Sequence, residues 1–175
     1  MISIRDACVT KSNPEFYFFY YKNLQKMENT KTINKSPGQG ELLSVMGIDI
    51  TVKLSGDDTG NAYSIVELNI PPDNGPGMHI DTRWDESWYV IEGTFEFYLD
   101  GERKEAVAGN FAYARKGIPH SFRNIGKTKG KIMMIAVPSG VENFFRDVHQ
   151  AILEGKTGKE TKMNITRSHG IESIP

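Results

Sequence analysis

The sequence predicts an all-β domain with a C-terminal helix, and three observations carry that prediction. Between Glu41 and Val137 apolar residues alternate with polar ones in short runs closed by glycine, proline or asparagine, the pattern of strands with one buried face. These runs recur at close, even spacing, which is the signature of a sandwich or a barrel. After Pro138-Ser139-Gly140 the period changes, and Val141, Phe144, Phe145, Val148, Ile152 and Leu153 return at helical spacing with Ser139 placed as a cap.

In chain order, residues 1–35 read as an N-terminal extension: 15–21 are densely aromatic and 22–35 polar, which suits an arm or an extra strand covering the barrel or a partner. The domain proper is expected over 36–175, with a barrel over about 41–137. Ile48, Ile50, Val52 and Leu54 alternate with Asp49, Thr51 and Lys53, and a turn over 56–60 leads into a strand over 62–70. The loop Pro71-Pro72-Asp73-Asn74-Gly75-Pro76-Gly77 cannot continue a ladder, because proline lacks the donor and glycine favours turns. A short strand at 79–81 follows, then strands over 87–91 and 94–99 joined across Glu92-Gly93. Asp100-Gly101 marks a hairpin into 102–107, and strands over 111–114, 120–123 and 131–137 complete the run. The helix is expected over about 141–153, a polar connector over 155–162 and a tail to 175.

Size and charge narrow the partners. The 175 residues, 38% of them hydrophobic, suffice for one closed sheet with a core. A formal charge of -1 gives no basic field for nucleic acid, and no window is long and apolar enough for a membrane span. Cys8 is the single cysteine, so no intrachain disulfide forms. The apolar run over 16–21 is short, follows Pro14-Glu15 and lacks a preceding basic region, so a cytoplasmic protein is expected.

Chemistry concentrates in residues 77–93. His79 and Asp81 are two apart on a strand and leave the same face, while Glu86 opens the next apolar run after a short polar bend. Downstream, a strand, a Gly/Pro bend and a second strand deliver His120. Two histidines and two carboxylates on strands suit a divalent transition ion with open coordination positions. Asp81 decides the ligand set. With it, two carboxylates balance a divalent charge and favour iron(II), manganese or another oxygen-tolerant ion; without it, His79, Glu86 and His120 make a two-histidine, one-carboxylate triad beside which Asp81 acts as a support or a base. Trp88 shares the face of Glu86 and is the best candidate to line a substrate pocket. His149 and His169 lie on the expected helix and tail and read as structural.

The spacing resembles the two motifs of the cupin superfamily. The first reads glycine, five residues, His-x-His, three or four residues, Glu, six residues, Gly, and is matched by His79, Glu86 and Gly93; the second is matched by Gly109, Gly117, His120 and Asn124. Asp81 stands where the second histidine of the first motif falls, Asp73 at its leading glycine and Arg115 at the proline of the second motif. The helix segment Phe144-Phe145-Arg146 and residues 168–175 are similar to the quercetin 2,3-dioxygenase-like branch. The resemblance covers about 36–175 and implies a double-stranded β-helix, or jelly-roll, with its site inside. It further implies a divalent transition metal (Fe, Mn, Ni, Cu or Zn) on His79, Asp81, Glu86 and His120, with Glu86 as the catalytic base. A small phenolic or enolic substrate, dioxygenase chemistry and a homodimer belong to the same implication. Because the fold also hosts non-catalytic binding proteins and metal-independent isomerases or epimerases, those are the alternative readings.

Overall fold

The structure is a computed structural model and describes residues 32–174. The extension expected over residues 1–35 therefore lies outside the described residues apart from its last four. Eleven strands and three helices are described: β1 Glu41–Val45, β2 Ile48–Leu54, α1 Gly56–Thr59, β3 Ser64–Ile70, β4 His79–Asp81, β5 Asp85–Glu92, β6 Thr94–Leu99, β7 Glu102–Val107, β8 Phe111–Ala114, β9 His120–Asn124, β10 Gly130–Val137, α2 Val141–Leu153, α3 Lys159–Ser168 and β11 Ile171–Ser173.

The strands form two antiparallel sheets, one in the order β1-β2-β3-β10-β5-β8 and the other β11-β4-β9-β6-β7. This is the jelly-roll arrangement of a double sheet closing on a common interior. Alternation decides which side chains enter it. Along β3 the residues Ser64, Val66, Leu68 and Ile70 are buried, and along β10 Gly130, Ile132, Met134 and Ala136 are. The opposite sheet answers with Phe95 and Phe97 from β6 and Phe122 from β9, whose rings stack within 5.6–6.5 Å of one another. Each such fully buried side chain contributes roughly 1.5–3 kcal/mol.

Two motif residues have structural explanations. Gly93 turns the chain between β5 and β6 at φ 95°, and a Cβ there would stand 2.8 Å from the Gly130 Cα, so the position tolerates no side chain. Asn124 is fully buried; its Nδ2 donates to the carbonyls of Ile70 (2.8 Å) and Thr128 (2.9 Å), and its Oδ1 accepts from the Gly126 N–H (2.9 Å). One amide thus ties the β9–β10 turn to the end of β3.

The helix expected over 141–153 forms as α2, whose buried Glu142 accepts N–H bonds from Gly56 and Gly140, both at 2.8 Å. Two readings are corrected. The turn at 56–60 closes as the single helical turn α1, because Asp58 Oδ2 accepts from both the N–H and the hydroxyl of Ser55 at 2.9 Å. The polar connector over 155–162 instead runs into α3, which buries none of its residues. Its stripe is too weak to give a periodicity, and Ile165 packs it against the core cluster. Replacing Asn124 by alanine leaves two carbonyls and one N–H without their partner inside the fold, and is expected to lower stability by about 2–4 kcal/mol in urea unfolding.

Candidate metal centre

The four residues singled out from sequence come together, and they come from both sheets. His79 and Asp81 project from one face of β4, and His120 on β9 is the register partner of His79. Glu86 reaches in from β5 of the other sheet, where it pairs with Ala136 and Ala114. The small side chains of those neighbours leave room around the carboxylate. One ligand atom from each of the four lies within 4.8 Å of every other. His120 Nε2 stands 3.2 Å from Asp81 Oδ2 and 3.5 Å from Glu86 Oε2, and His79 Nε2 stands 3.6 Å from Asp81 Oδ2.

The backbone sets both imidazoles. His79 Nδ1 donates to the Gly77 carbonyl at 2.8 Å, and His120 Nδ1 to that of Ile118 at 2.9 Å. A carbonyl only accepts, so each Nδ1 carries a proton and each Nε2 in a neutral ring presents its lone pair to the cluster. Glu86 is held by one oxygen: Trp84 Nε1 donates to Oε1 at 3.0 Å, leaving Oε2 toward His120. The role of Trp84 was not legible, because nothing in the spacing distinguishes an indole that orients a carboxylate from one that fills a core.

Two atoms test whether the site suits an ion. Asp81 Oδ2 and His120 Nε2 are buried and, among the described residues, have no well-formed hydrogen bond; each faces only other members of the cluster, the two standing 3.2 Å apart. Buried polar atoms are rarely left so. Two imidazole nitrogens and two carboxylate oxygens are the donor set of a divalent transition ion, so the residues fit one.

A cavity of about 410 Å³ adjoins the cluster, with His79, Asp81 and Glu86 in its wall. Ile50, Leu68, Phe122 and Met134 line it from the sheets, and Phe144 and Phe145 from α2. Among the described residues no lysine or arginine lines it. Trp88, expected on the pocket wall, is instead fully buried one layer back, its ring 5.3 Å from that of His120 and 5.7 Å from that of Phe97. It shares the inward face of β5 with Glu86, but this rung meets the aromatic core rather than the cavity. The contribution of Phe144 and Phe145 was not foreseen; their helical spacing shows an apolar face but not what it covers. His149 and His169 lie outside the cluster, bonded to the Ser44 backbone and to Asp147.

Without an ion the pair is charged. Burial pushes the His120 imidazole down, but Asp81 and Glu86 outweigh it and raise it to about 10. Burial pushes the Asp81 carboxyl up, but the His120 and His79 rings outweigh it and hold it below its ordinary 3.8. His120 therefore stabilises the metal-free fold fully below its ordinary 6.5 and loses that contribution as pH rises toward about 10. Asp81 contributes above 3.8 and loses its contribution as pH falls through its lowered value. Urea unfolding of metal-free protein is thus expected to show falling stability from pH 6.5 to 10. Because the ion must displace the His120 proton, calorimetry at neutral pH should show release of about one proton per ion bound and an affinity that rises about tenfold per pH unit.

Comparison with known proteins agrees with this architecture. Residues 66–136, which contain all four clustered side chains, match the family described as "Cupin domain". Over 86 residues the chain is 33% identical to quercetin 2,3-dioxygenase of Bacillus subtilis, a match covering 49% of this chain and 26% of that protein, so the chain spans about a quarter of that relative's length. Among solved structures, KdgF from Halomonas sp. superposes with a TM-score of 0.58 at 17% identity, covering 65% of this chain and 99% of that one. A predicted oxalate decarboxylase from Thermotoga maritima superposes at 0.55 with 21% identity, covering 61% and 99%. Identities this low carry a fold and not a reaction. Sequence motif and double sheet converge from independent directions: residues 66–136 match a cupin domain, and the sheets that hold them have the cupin fold.

Proposed function

We propose that this protein holds a divalent transition ion on His79, Asp81, Glu86 and His120 and acts as a dioxygenase on a small, uncharged molecule bearing a phenol or enol oxygen. The observation that carries the reading is the convergence of four ligand atoms within 4.8 Å beside an apolar cavity, two of them, Asp81 Oδ2 and His120 Nε2, buried without a well-formed hydrogen bond. An ion shared by the four side chains satisfies both atoms. Bound there, an ion would supply Lewis-acid charge beside the cavity.

The remaining work falls to the chain. His79 and His120 keep their Nε2 atoms aimed inward through the Gly77 and Ile118 carbonyls. Glu86, steadied at Oε1 by Trp84, is the carboxylate placed to accept the proton of a phenol or enol. Phe122, Phe144 and Phe145 give a flat ring aromatic surface and keep water out. Among the described residues the wall holds no lysine or arginine, so none of them offers a counter-charge to a free carboxylate or phosphate on the substrate, which favours an uncharged molecule. The 33% identity to a quercetin 2,3-dioxygenase segment supports the reaction class. Two hard oxygens beside two imidazoles suit iron(II) or manganese, with nickel, copper and zinc as the other candidates.

One observation favours a second reading. The charged Asp81 and His120 at 3.2 Å could exchange a proton with substrate directly, as in a metal-independent isomerase or epimerase. Elemental analysis separates the two: the dioxygenase reading expects about one transition ion per chain, lost in both His120→Ala and Asp81→Ala. A protein that takes up no ion on reconstitution, or keeps it in both variants, overturns the assignment. Glu86→Gln is expected to slow oxygen consumption with a flavonol at least about 100-fold.

Pairing with a second copy is part of the same proposal. On the outer face of the larger sheet Tyr89 neighbours Phe111 and Met133 in register, and Phe111 and Tyr113 are 64% and 51% exposed, whereas the solvated face of an antiparallel sheet is ordinarily polar. Sedimentation velocity is expected to give a dimer that Phe111→Lys converts to monomer.

A further inference from the structure

We infer that the C-terminal strand β11 is the positioning element of the metal centre, holding the ligand-bearing strand β4 in place while forming a removable wall of the cavity. The inference rests on the metal-binding reading for its consequence, though not for its geometry.

Strand β4 has three residues and carries two of the four candidate ligands. It follows a loop rich in proline and glycine that meets β9 through backbone bonds of Asp73 and Asn74 with Asn124, both at 2.9 Å, five residues before His79, and so short a strand has little stability of its own. On one side it meets β9 at a single register pair, His79 with His120. On the other it meets β11 along its whole length, with Ser173 opposite His79, Glu172 opposite Ile80 and Ile171 opposite Asp81. Backbone bonds extend this ladder at both ends: the Ile174 N–H donates to the Met78 carbonyl at 2.9 Å, and the Thr82 N–H to the Gly170 carbonyl at 2.9 Å. On the β9 side the Gly117 N–H also donates to the Asp81 carbonyl at 2.8 Å, so β4 is held from both sides, with the longer continuous ladder on the side of β11.

The same segment borders the cavity. Thr166 of α3 together with Ile171, Ser173 and Ile174 lies in its wall. Yet the attachment is light. β11 is an edge strand, only its Ile171 is buried, and α3 buries nothing. The turn before it is pinned to α2 by His169, whose Nε2 lies 2.7 Å from Asp147 Oδ2 and whose ring meets Phe144 edge-on at 5.8 Å. Few buried contacts and a short exposed ladder are the marks of an element that opens locally at low cost. Moving this wall aside and loosening two metal ligands are consequently one event.

Gly170 gives a selective way to disturb it. It sits at φ 75°, and a Cβ there would stand 2.6 Å from Thr82 Oγ1 and 2.9 Å from the Arg83 side chain. Gly170→Val is thus expected to push β11 from β4, and Ile174→Pro to remove the N–H that Met78 accepts. Both are compared with Phe95→Leu, a core change at the other end of the barrel. Hydrogen exchange on metal-free protein should show amides of residues 78–82 exchanging at least about tenfold faster in the two β11 variants, with the β3, β10 and β6 amides unchanged. Manganese(II) titration should show affinity weakened by about 10- to 100-fold in the same variants, and unchanged in Phe95→Leu. Unaltered exchange at 78–82 in both variants overturns the inference, as does faster exchange with full manganese affinity. A wild-type protein that binds no manganese, iron, nickel, copper or zinc refutes the metal reading instead, and the exchange result still decides whether β11 positions β4.

Discussion

The site depends on register. His79 and His120 face each other across β4 and β9, and since side chains alternate with period two, a slip of one residue in either strand would turn a ring out of the interior. The rings lie 4.3 Å apart between centroids because the strands are paired at this one position. Glu86 obeys a separate register, set in the other sheet by β10 and β8. The cluster is thus the meeting point of two independently specified ladders, and the closing of the two sheets on each other brings them together.

Burying this set is expensive for a fold to tolerate. Asp81, Glu86 and His120 are all nearly inaccessible, and a charge removed from water needs a partner or an ion. In the absence of an ion the imidazole and the carboxylates compensate one another, which is why His120 is driven upward and Asp81 downward. The aromatic layer of Trp88, Phe97 and Phe122 behind them keeps the surroundings of low polarity, so each of these interactions is stronger than it would be at a surface. Stability and chemistry are therefore written in the same few side chains.

Much of this was legible in the residues themselves. The alternation at Ile48, Ile50, Val52 and Leu54, the Asp100-Gly101 hairpin and the stripe of α2 are local signals and forecast local structure. The cluster was legible because each half of it lies within one short motif, His79 to Gly93 and Gly109 to Asn124. What was hidden is what depends on distant packing. A polar stretch such as Lys159–Ser168 becomes helix only against its neighbours. Trp88 and Phe122 occupy inward faces alike, yet one fills the core and the other borders the cavity, a difference of depth that periodicity does not encode.

The anchoring of both imidazoles to carbonyls of the loops that lead into their strands, two residues back, reaches further than tautomer choice. Orientation is inherited from folding, so different cations would encounter the same prearranged grip and shape would discriminate weakly among them. Which element the protein carries in a cell would then follow from supply and from the general ordering of ligand affinities.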